Sequence, residues 1–230
     1  GWTNMLRKNW LFKAMLVLLW MAITSGAADV ATAAPQGVLR VALHAGISAD
    51  WLDPSISGVS ASALLPLYAM HDALVKPMPG GLYTPCLAES WSAGPDHKTY
   101  DFKLRKGVKF HNGDIMTAED VIFTFWRYKG EYAKVIHGLT EKLEAVNPHH
   151  VRFHFKKSIP DFIEFFAGRT PFGWIVPKKY VEKVGDAGFK KHPIGAGPYK
   201  FVEFVPGQRL VVEAFDEFWR KVPNVKRIEF

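Results

Sequence analysis

The chain has 230 residues, of which 48% are hydrophobic and 14% aromatic, and this composition excludes a disordered protein. The formal net charge is +7, but the basic residues form no run and match no nucleic-acid-binding motif, so we predict no nucleic-acid partner. A single cysteine, Cys86, excludes an intramolecular disulfide, and we interpret it as a small buried apolar residue rather than a nucleophile.

Residues 1–33 have the pattern of a secretory signal peptide. The start is basic, with Arg7 and Lys8, and an apolar run follows at 14–23. That run is about half the length of a bilayer-spanning helix. The Ala-Thr-Ala at 31–33 matches a signal-peptidase site. We therefore predict cleavage and export to the periplasm, with an uncleaved membrane anchor as the alternative.

The exported part begins with a short strand and an apolar helix. Residues 37–43 are rich in strand-forming residues and predict the first strand. Proline, serine and glycine at 53–58 predict a break in regular secondary structure after this strand. The segment 60–75 is apolar at most positions and predicts a buried helix, in which Pro66 causes a kink or a late start.

The later segments mix strands and helices. Apolar and polar side chains alternate at 99–105 and 149–155, which predicts two half-buried strands. Segments 158–168 and 177–185 have proline near the start and glycine at the end, as short helices do. Segment 197–215 carries two alternating runs about a Pro-Gly pair and predicts a hairpin. This order indicates an α/β protein with a mixed sheet, or an α+β protein.

The segment 104–127 is the most patterned part of the chain. Gly107 and Gly113 predict two tight turns around a short strand. Thr117 stands three residues before Asp120, a spacing typical of a capping box at a helix start. We expect the apolar residues that follow to form one buried helical face: Val121, Ile122, Phe125 and Trp126.

A chemical site built from His111, Asp114 and Glu119 is the alternative for this segment. Their spacing is not a zinc signature, and no second histidine follows at helical spacing. The hydrolase motifs Gly-x-Ser-x-Gly and His-Glu-x-x-His are absent from the sequence. We therefore predict a structural role for the segment, a protein that is not an enzyme, and no metal or other cofactor.

Residues 85–125 resemble the signature region of solute-binding proteins of ABC importers, in the peptide/nickel-binding branch. The motifs Leu-Ala-Glu-Ser-Trp, Leu-Arg-x-Gly-Val-x-Phe-His and Ala-Glu-Asp-Val occur in the family's order and close to its spacing. His71 and Asp72 replace the usual aromatic-acidic pair, and Ala196 stands where threonine is common. Further similar segments extend the resemblance over the exported part: 52–54, 71–75, 175–185, 195–204 and 215–230.

The resemblance implies the type II periplasmic-binding-protein fold. On this basis we predict an incomplete first lobe at 34–71 and 169–230 and an inserted small domain at 72–168. Family members have a second lobe that this chain would lack, so the resemblance predicts an N-terminal fragment of a longer protein.

The resemblance also implies solute capture without chemistry. We predict an extracytoplasmic component that binds a peptide or a similar small solute, delivers it to the permease subunits of an ABC importer, and is a monomer when complete. In the family, the first lobe contacts the ligand mainly through the main chain after Leu-Asp-Pro, which here is Ser57, Gly58, Val59 and Ser60. The alternatives are a nickel or metal complex, an opine or a sugar as the solute, a secreted hydrolase, and a membrane-tethered sensor.

Overall fold

The computed structural model describes residues 34–56, 61–167 and 173–230 of the chain. The strands are β1 (Gln36–Arg40), β2 (Val75–Met78), β3 (Gly81–Pro85), β4 (Ala88–Ala93), β5 (Thr99–Leu104), β6 (Thr140–Asn147), β7 (His150–Phe155), β8 (Tyr199–Val205), β9 (Arg209–Ala214) and β10 (Val225–Glu229). The helices are a 3-10 helix (Ala49–Leu52), α1 (Ala61–Met70), α2 (Ala118–Arg127), α3 (Ala133–Leu139), α4 (Glu164–Ala167) and α5 (Lys178–Lys191).

One four-stranded sheet has the order β1-β10-β9-β8, with β1 parallel to β10 and the other neighbours antiparallel. Its β8 and β9 confirm the hairpin predicted at 197–215. Gly207 in the turn has a φ of +70°, which glycine adopts without the steric cost of a Cβ. Buried side chains of the 3-10 helix, α1 and this sheet form one core: Leu52, Met70, Tyr199, Leu210, Val212 and Ile228.

A second four-stranded sheet has the order β4-β5-β7-β6 and is antiparallel throughout. The two alternating segments are its strands β5 and β7, and their large apolar residues are the buried ones, as a side-chain period of two requires. Both strand predictions are confirmed. Helix α2 packs Val121 and Phe125 into the same core, whose largest members include Tyr100, Phe102, Phe110, Phe153 and Phe162.

Several elements differ from their predicted bounds. The strand predicted at 37–43 ends at Arg40. The helix predicted at 60–75 ends at Met70, and the residues from Val75 onward pair with β3 instead. Helix α5 does break at Gly185, which has a φ of +68°, but a further helical stretch follows the predicted end.

The prediction of a buried Trp126 is wrong, because 45% of this residue is exposed. The buried side of α2 runs through Val121, Thr124 and Phe125, and Trp126 lies beside it. Its ring contacts Phe125 edge-on at a centroid distance of 4.9 Å and lies 5.1 Å from the ring of His137. The indole therefore covers the rim of the core and does not fill its centre.

The predicted signal peptide at 1–33 lies outside the described residues. Within the part of the chain that the structure describes, no helix has the length and apolar character needed to cross a membrane.

Candidate ligand-binding site

The Leu-Asp-Pro turn at 52–54 is held by a buried ion pair. Asp53 is 1% exposed and receives two hydrogen bonds from Arg127 of α2, Nη1 to Oδ1 at 2.8 Å and Nη2 to Oδ2 at 2.5 Å. The same Oδ1 accepts the N–H of Ser55 at 2.9 Å. A bidentate arginine–carboxylate pair constrains the relative orientation of the two side chains in addition to the attraction of their charges. This pair therefore determines how the chain leaves the turn.

Arg127 is fully engaged by the protein. Besides Asp53, its Nη2 donates to Asp186 of α5 at 3.0 Å, and its guanidinium lies 5.1 Å from the ring centroid of Phe189. Nearby, the N–H of Lys129 donates to the carbonyl of Ser55 at 2.7 Å. These contacts join the turn to α2 and α5, and they use the arginine as a structural cation rather than as a ligand-binding one.

An apolar cleft lies beside this turn. Its cavity volume is about 20 Å³, which is room for about one water molecule. Ser55 is 6% exposed and lines the cleft, and within the described residues its hydroxyl has no hydrogen-bond partner. The rest of the lining is mostly aromatic and aliphatic, and includes Leu74, Phe125, Phe153, Phe166, Trp174 and Ile175.

The four residues predicted to contact the ligand, Ser57, Gly58, Val59 and Ser60, lie outside the described residues. Their role therefore stays a prediction. Sequence reasoning missed Ser55 and the partner of Asp53. The Leu-Asp-Pro motif directs attention to this turn, but Asp53 and Arg127 stand 74 positions apart, and no local pattern connects them.

His111 connects the patterned segment 104–127 to the later glycine-rich segment. Its Nδ1 accepts the N–H of Gly195 at 3.2 Å, and Nε2 lies 3.0 Å from the carbonyl of Gly197. The imidazole is thus neutral with its proton on Nε2, since Nδ1 must accept. Burial lowers the pKa of His111 to about 4, which favours the same neutral form. The ring therefore connects the two segments, and the purely structural role of the segment stays a prediction.

The other two residues of the alternative chemical site have separate partners. Asp114 accepts a hydrogen bond from the side-chain amide of Asn112 at 2.8 Å, within the turn. Glu119 pairs with the ammonium of Lys178 at 3.4 Å. Neither contact involves His111. Over the residues that the structure describes, no group of three or more histidine, cysteine, aspartate or glutamate side chains could hold a metal ion.

Residues 83–230, more than half of the chain, match the model of the family described as bacterial extracellular solute-binding proteins, family 5 Middle. The chain belongs to this family.

Relatives and solved structures agree with this assignment. Di/tripeptide-binding protein 2 of Pseudomonas aeruginosa is 28% identical over 187 residues, which cover 70% of this chain and 35% of the relative. The dipeptide-binding protein of Escherichia coli is 31% identical over 169 residues, which cover 64% and 32%. The structure of the PBP AgaA from A. tumefaciens in complex with agropinic acid has a TM-score of 0.72 at 27% identity, covering 84% of this chain and 39% of that one.

The chain thus spans about a third of the length of the curated relatives it matches. These proteins are named for binding and not for catalysis. The mixed α/β fold of the chain is that of the periplasmic binding proteins among the solved structures.

Two glycines of this family 5 chain are required by close packing. A Cβ on Gly195 would collide with the carbonyl oxygen of Met70, and one on Gly197 would collide with the backbone between Met70 and His71. The N–H of Gly197 also donates to the Met70 carbonyl at 3.0 Å. Ala196 between them is fully buried, so its small side chain suits the site where it replaces the common threonine.

The unusual His71-Asp72 pair is completely buried. His71 Nε2 lies 3.4 Å from the carbonyl of Leu52, and burial lowers the pKa of the imidazole to about 3, so the ring is neutral. Asp72 pairs with Lys76 and accepts the indole N–H of Trp219 at 3.1 Å. His71 thus packs against the turn that leads to the cleft.

Cys86 completes the Asp72 network. Its thiol donates to the Asp72 carboxylate at 2.9 Å. Burial is the main cause that raises the pKa of the thiol above its ordinary value, and the negative charge of Asp72 adds to it. A protonated, buried thiol is a poor nucleophile, so the interpretation of Cys86 as a structural residue agrees with its environment.

Proposed function

We propose that the protein is the extracytoplasmic solute-binding component of an ABC importer and that it captures a peptide or a related small solute. The observation that carries this proposal is the family 5 match over residues 83–230. Relatives named for dipeptides and tripeptides support the peptide class. Because this chain spans only about a third of those relatives, the proposal concerns the whole protein to which it corresponds.

The proposed organisation follows the sheets. We assign residues 34–71 and 169–230 to a first lobe and residues 72–168 to an inserted small domain. In support, strands β1, β8, β9 and β10 share one sheet, whereas β4 to β7 form another. A chain that leaves the first sheet after α1 and returns to it at β8 matches an insertion between them.

The proposed ligand contacts come from the main chain of Ser57, Gly58, Val59 and Ser60. Their position after Leu-Asp-Pro supports this assignment, and Gly58 would allow another backbone to approach closely. The buried Asp53–Arg127 pair fixes the turn just before them. A rigid turn reduces the conformational entropy that binding would otherwise remove, which favours affinity.

We also propose that residues 1–33 are a cleaved signal peptide, that the mature protein is periplasmic, and that it acts as a monomer with permease subunits as partners. The basic start, the short apolar run and the Ala-Thr-Ala site support the leader. N-terminal sequencing of the periplasmic fraction is expected to give a start near Ala34.

Calorimetry on the purified mature protein tests the function. We expect heat of binding with a mixed pool of dipeptides to pentapeptides. Parallel titrations with a nickel salt and with an opine examine the other solutes, since AgaA was solved with agropinic acid. Tight binding of nickel or of the opine, without any response to the peptide pool, would overturn the peptide assignment.

A further inference from the structure

The indole ring of Trp219 carries two arginine side chains. The guanidinium carbon of Arg105 lies 4.8 Å from the ring centroid, and that of Arg220 lies 4.5 Å from it. At both distances the negative face of an indole attracts a cation. The indole N–H donates to the fully buried carboxylate of Asp72 at 3.1 Å, and this bond orients the ring. Trp219 therefore holds two positive charges on one ring.

Most N–H groups of the two guanidiniums are not used by the described part of the protein. Nε of Arg105 donates to the carbonyl of Cys86 at 2.6 Å, but its Nη1 lies 3.9 Å from the Glu89 carboxylate, too far for a hydrogen bond. Nη1 of Arg220 donates to the sulfur of Met78 at 3.7 Å, and sulfur is a weak acceptor. The Arg105 side chain is 32% exposed and Arg220 is half-buried, so a ligand in solution can reach both.

The carboxylates around the ring neutralise this charge only in part. Asp72 pairs with the ammonium of Lys76, in addition to accepting the indole N–H. Glu217, two residues before the tryptophan, pairs with Lys109. Lys221, next to the second arginine, is exposed, and neither of these two cations has an ion pair among the residues that the structure describes. The ring therefore lies in a region of excess positive charge.

These properties suit an anion with at least two oxygen atoms. A guanidinium is a planar fork of donors whose spacing matches two oxygens of a carboxylate or a phosphate, so one arginine can bind such a group through two hydrogen bonds. Both arginines would repel a cation, and an uncharged apolar group would remove their hydration without replacing it. Because the ring already orients the arginines, binding removes less side-chain entropy than it would from two free side chains.

We propose that Arg105, Trp219 and Arg220 form a binding site for an oxyanion, the carboxylate or phosphate group of a ligand. Arg220 supplies the bidentate hydrogen bonds, and the Nη groups of Arg105 add the second positive charge. The site does not depend on which solute is transported, so it goes beyond the proposed function. The anion has two candidate sources: a small dissolved anion and the phosphate of a lipid headgroup.

Fluorine NMR on the purified full-length protein labelled with 5-fluorotryptophan tests the site. The Trp219 resonance is the one that Trp219→Phe removes and that Arg220→Gln displaces. Sodium phosphate and sodium acetate are titrated against sodium chloride at equal ionic strength. We expect this resonance to shift and saturate with phosphate or acetate, and not with chloride. A shift that is the same for all three salts, or that never saturates, would overturn the proposal, because salt screening alone explains it.

Substitutions at Arg220 identify the binding group. Arg220→Gln should weaken phosphate or acetate binding at least about tenfold, the effect of losing charge-assisted hydrogen bonds. Arg220→Lys keeps the charge without the fork, so its affinity should lie between those of the other two proteins. Arg152→Gln is the matched control, because that guanidinium already pairs with Asp101, and it should leave the affinity unchanged. Equal affinity of Arg220→Gln and the unsubstituted protein would disprove the site.

Vesicle flotation separates the two sources of the anion. The same proteins are mixed with vesicles of phosphatidylglycerol or of phosphatidylcholine. If the ligand is a lipid phosphate, phosphatidylglycerol vesicles should carry the unsubstituted protein and the Arg152→Gln control, and carry much less of Arg220→Gln. If no vesicle carries the protein but phosphate or acetate saturates the Trp219 resonance, the site binds a dissolved anion. If neither occurs, the proposal is wrong.

Discussion

The carboxylate of Asp120, in the first turn of α2, accepts a hydrogen bond at 2.9 Å from the backbone N–H of Lys178, the first residue of α5. The same carboxylate accepts the N–H of Thr117 at 2.8 Å, at the start of its own helix. Pro177 precedes α5 and has no side-chain acceptor that could cap it. One side chain therefore serves two helix starts and joins the segment 104–127 to the later part of the chain.

Asp120→Ala should destabilise the protein more than an ordinary cap substitution. It leaves two helix N–H groups without acceptors, and each lost cap costs about 1 kcal/mol, so we expect a loss of about 2 kcal/mol in the free energy of unfolding. Urea denaturation measures it. Glu119→Gln is the control in the same helical turn. Its carboxylate is exposed, so a change within about 0.5 kcal/mol is expected. Equal effects of both substitutions would contradict the double-cap assignment.

Removal of the buried arginine should be more costly. Arg127→Ala leaves Asp53 buried without its partner, and breaking such pairs costs about 3–5 kcal/mol. Peptide affinity should fall too, because the turn before Ser57 loses its support. Lys129→Ala removes an exposed cation that also pairs with Asp186, and it should cost at most about 1 kcal/mol. An Arg127→Ala protein as stable as Lys129→Ala would disprove the structural role of the pair.

Stability should depend on pH through two buried histidines. An imidazole has an ordinary pKa of 6.5, but in the folded protein the pKa is about 4 for His111 and about 3 for His71. Between these values and 6.5 the unfolded chain binds more protons, so the free energy of unfolding falls as the pH falls. Each histidine should contribute roughly 1 kcal/mol per pH unit in its window.

His111→Gln separates this effect from general acid sensitivity. The variant should be less stable at pH 7, because it loses the geometry of the two glycine contacts, but its stability should decline less steeply between pH 6.5 and about pH 4. Denaturant melts across that range provide the comparison. His154→Gln, which removes a histidine paired with Glu144 on the second sheet, is the control. An unchanged slope in His111→Gln would show that His111 is not the titrating group.

Gly195→Ala tests the close packing behind the glycine-rich segment. The added methyl group would collide with the Met70 carbonyl and the His71 ring, and overpacking of this kind costs about 1–3 kcal/mol. Gly138→Ala, in α3 with open space around its Cα, should instead leave stability unchanged or raise it by up to about 1 kcal/mol. Thermal melts of the two variants should therefore shift in opposite directions or differ clearly in size.

The sequence by itself determined the local structure. Some features depend only on neighbouring residues and can therefore be predicted from the sequence. They are the alternation at β5 and β7, the hairpin of β8 and β9, the turn glycines and the helix start at Thr117. The family motifs in the segment 85–125 likewise identified the fold and the class of protein before any contact was known.

Only the tertiary structure decided the contacts between distant segments. Arg127 meets Asp53, Asp120 caps α5, and His111 meets Gly195 because separate elements pack together, and no local period encodes such pairings. Trp126 shows that helical spacing alone does not predict burial. The spacing places this residue near the apolar face of α2, but the elements that pack on the helix determine how wide the buried face is. The sequence likewise could not predict that the Ser55 hydroxyl is buried and, among the described residues, unpaired, because burial is a property of the assembled fold and not of the residue.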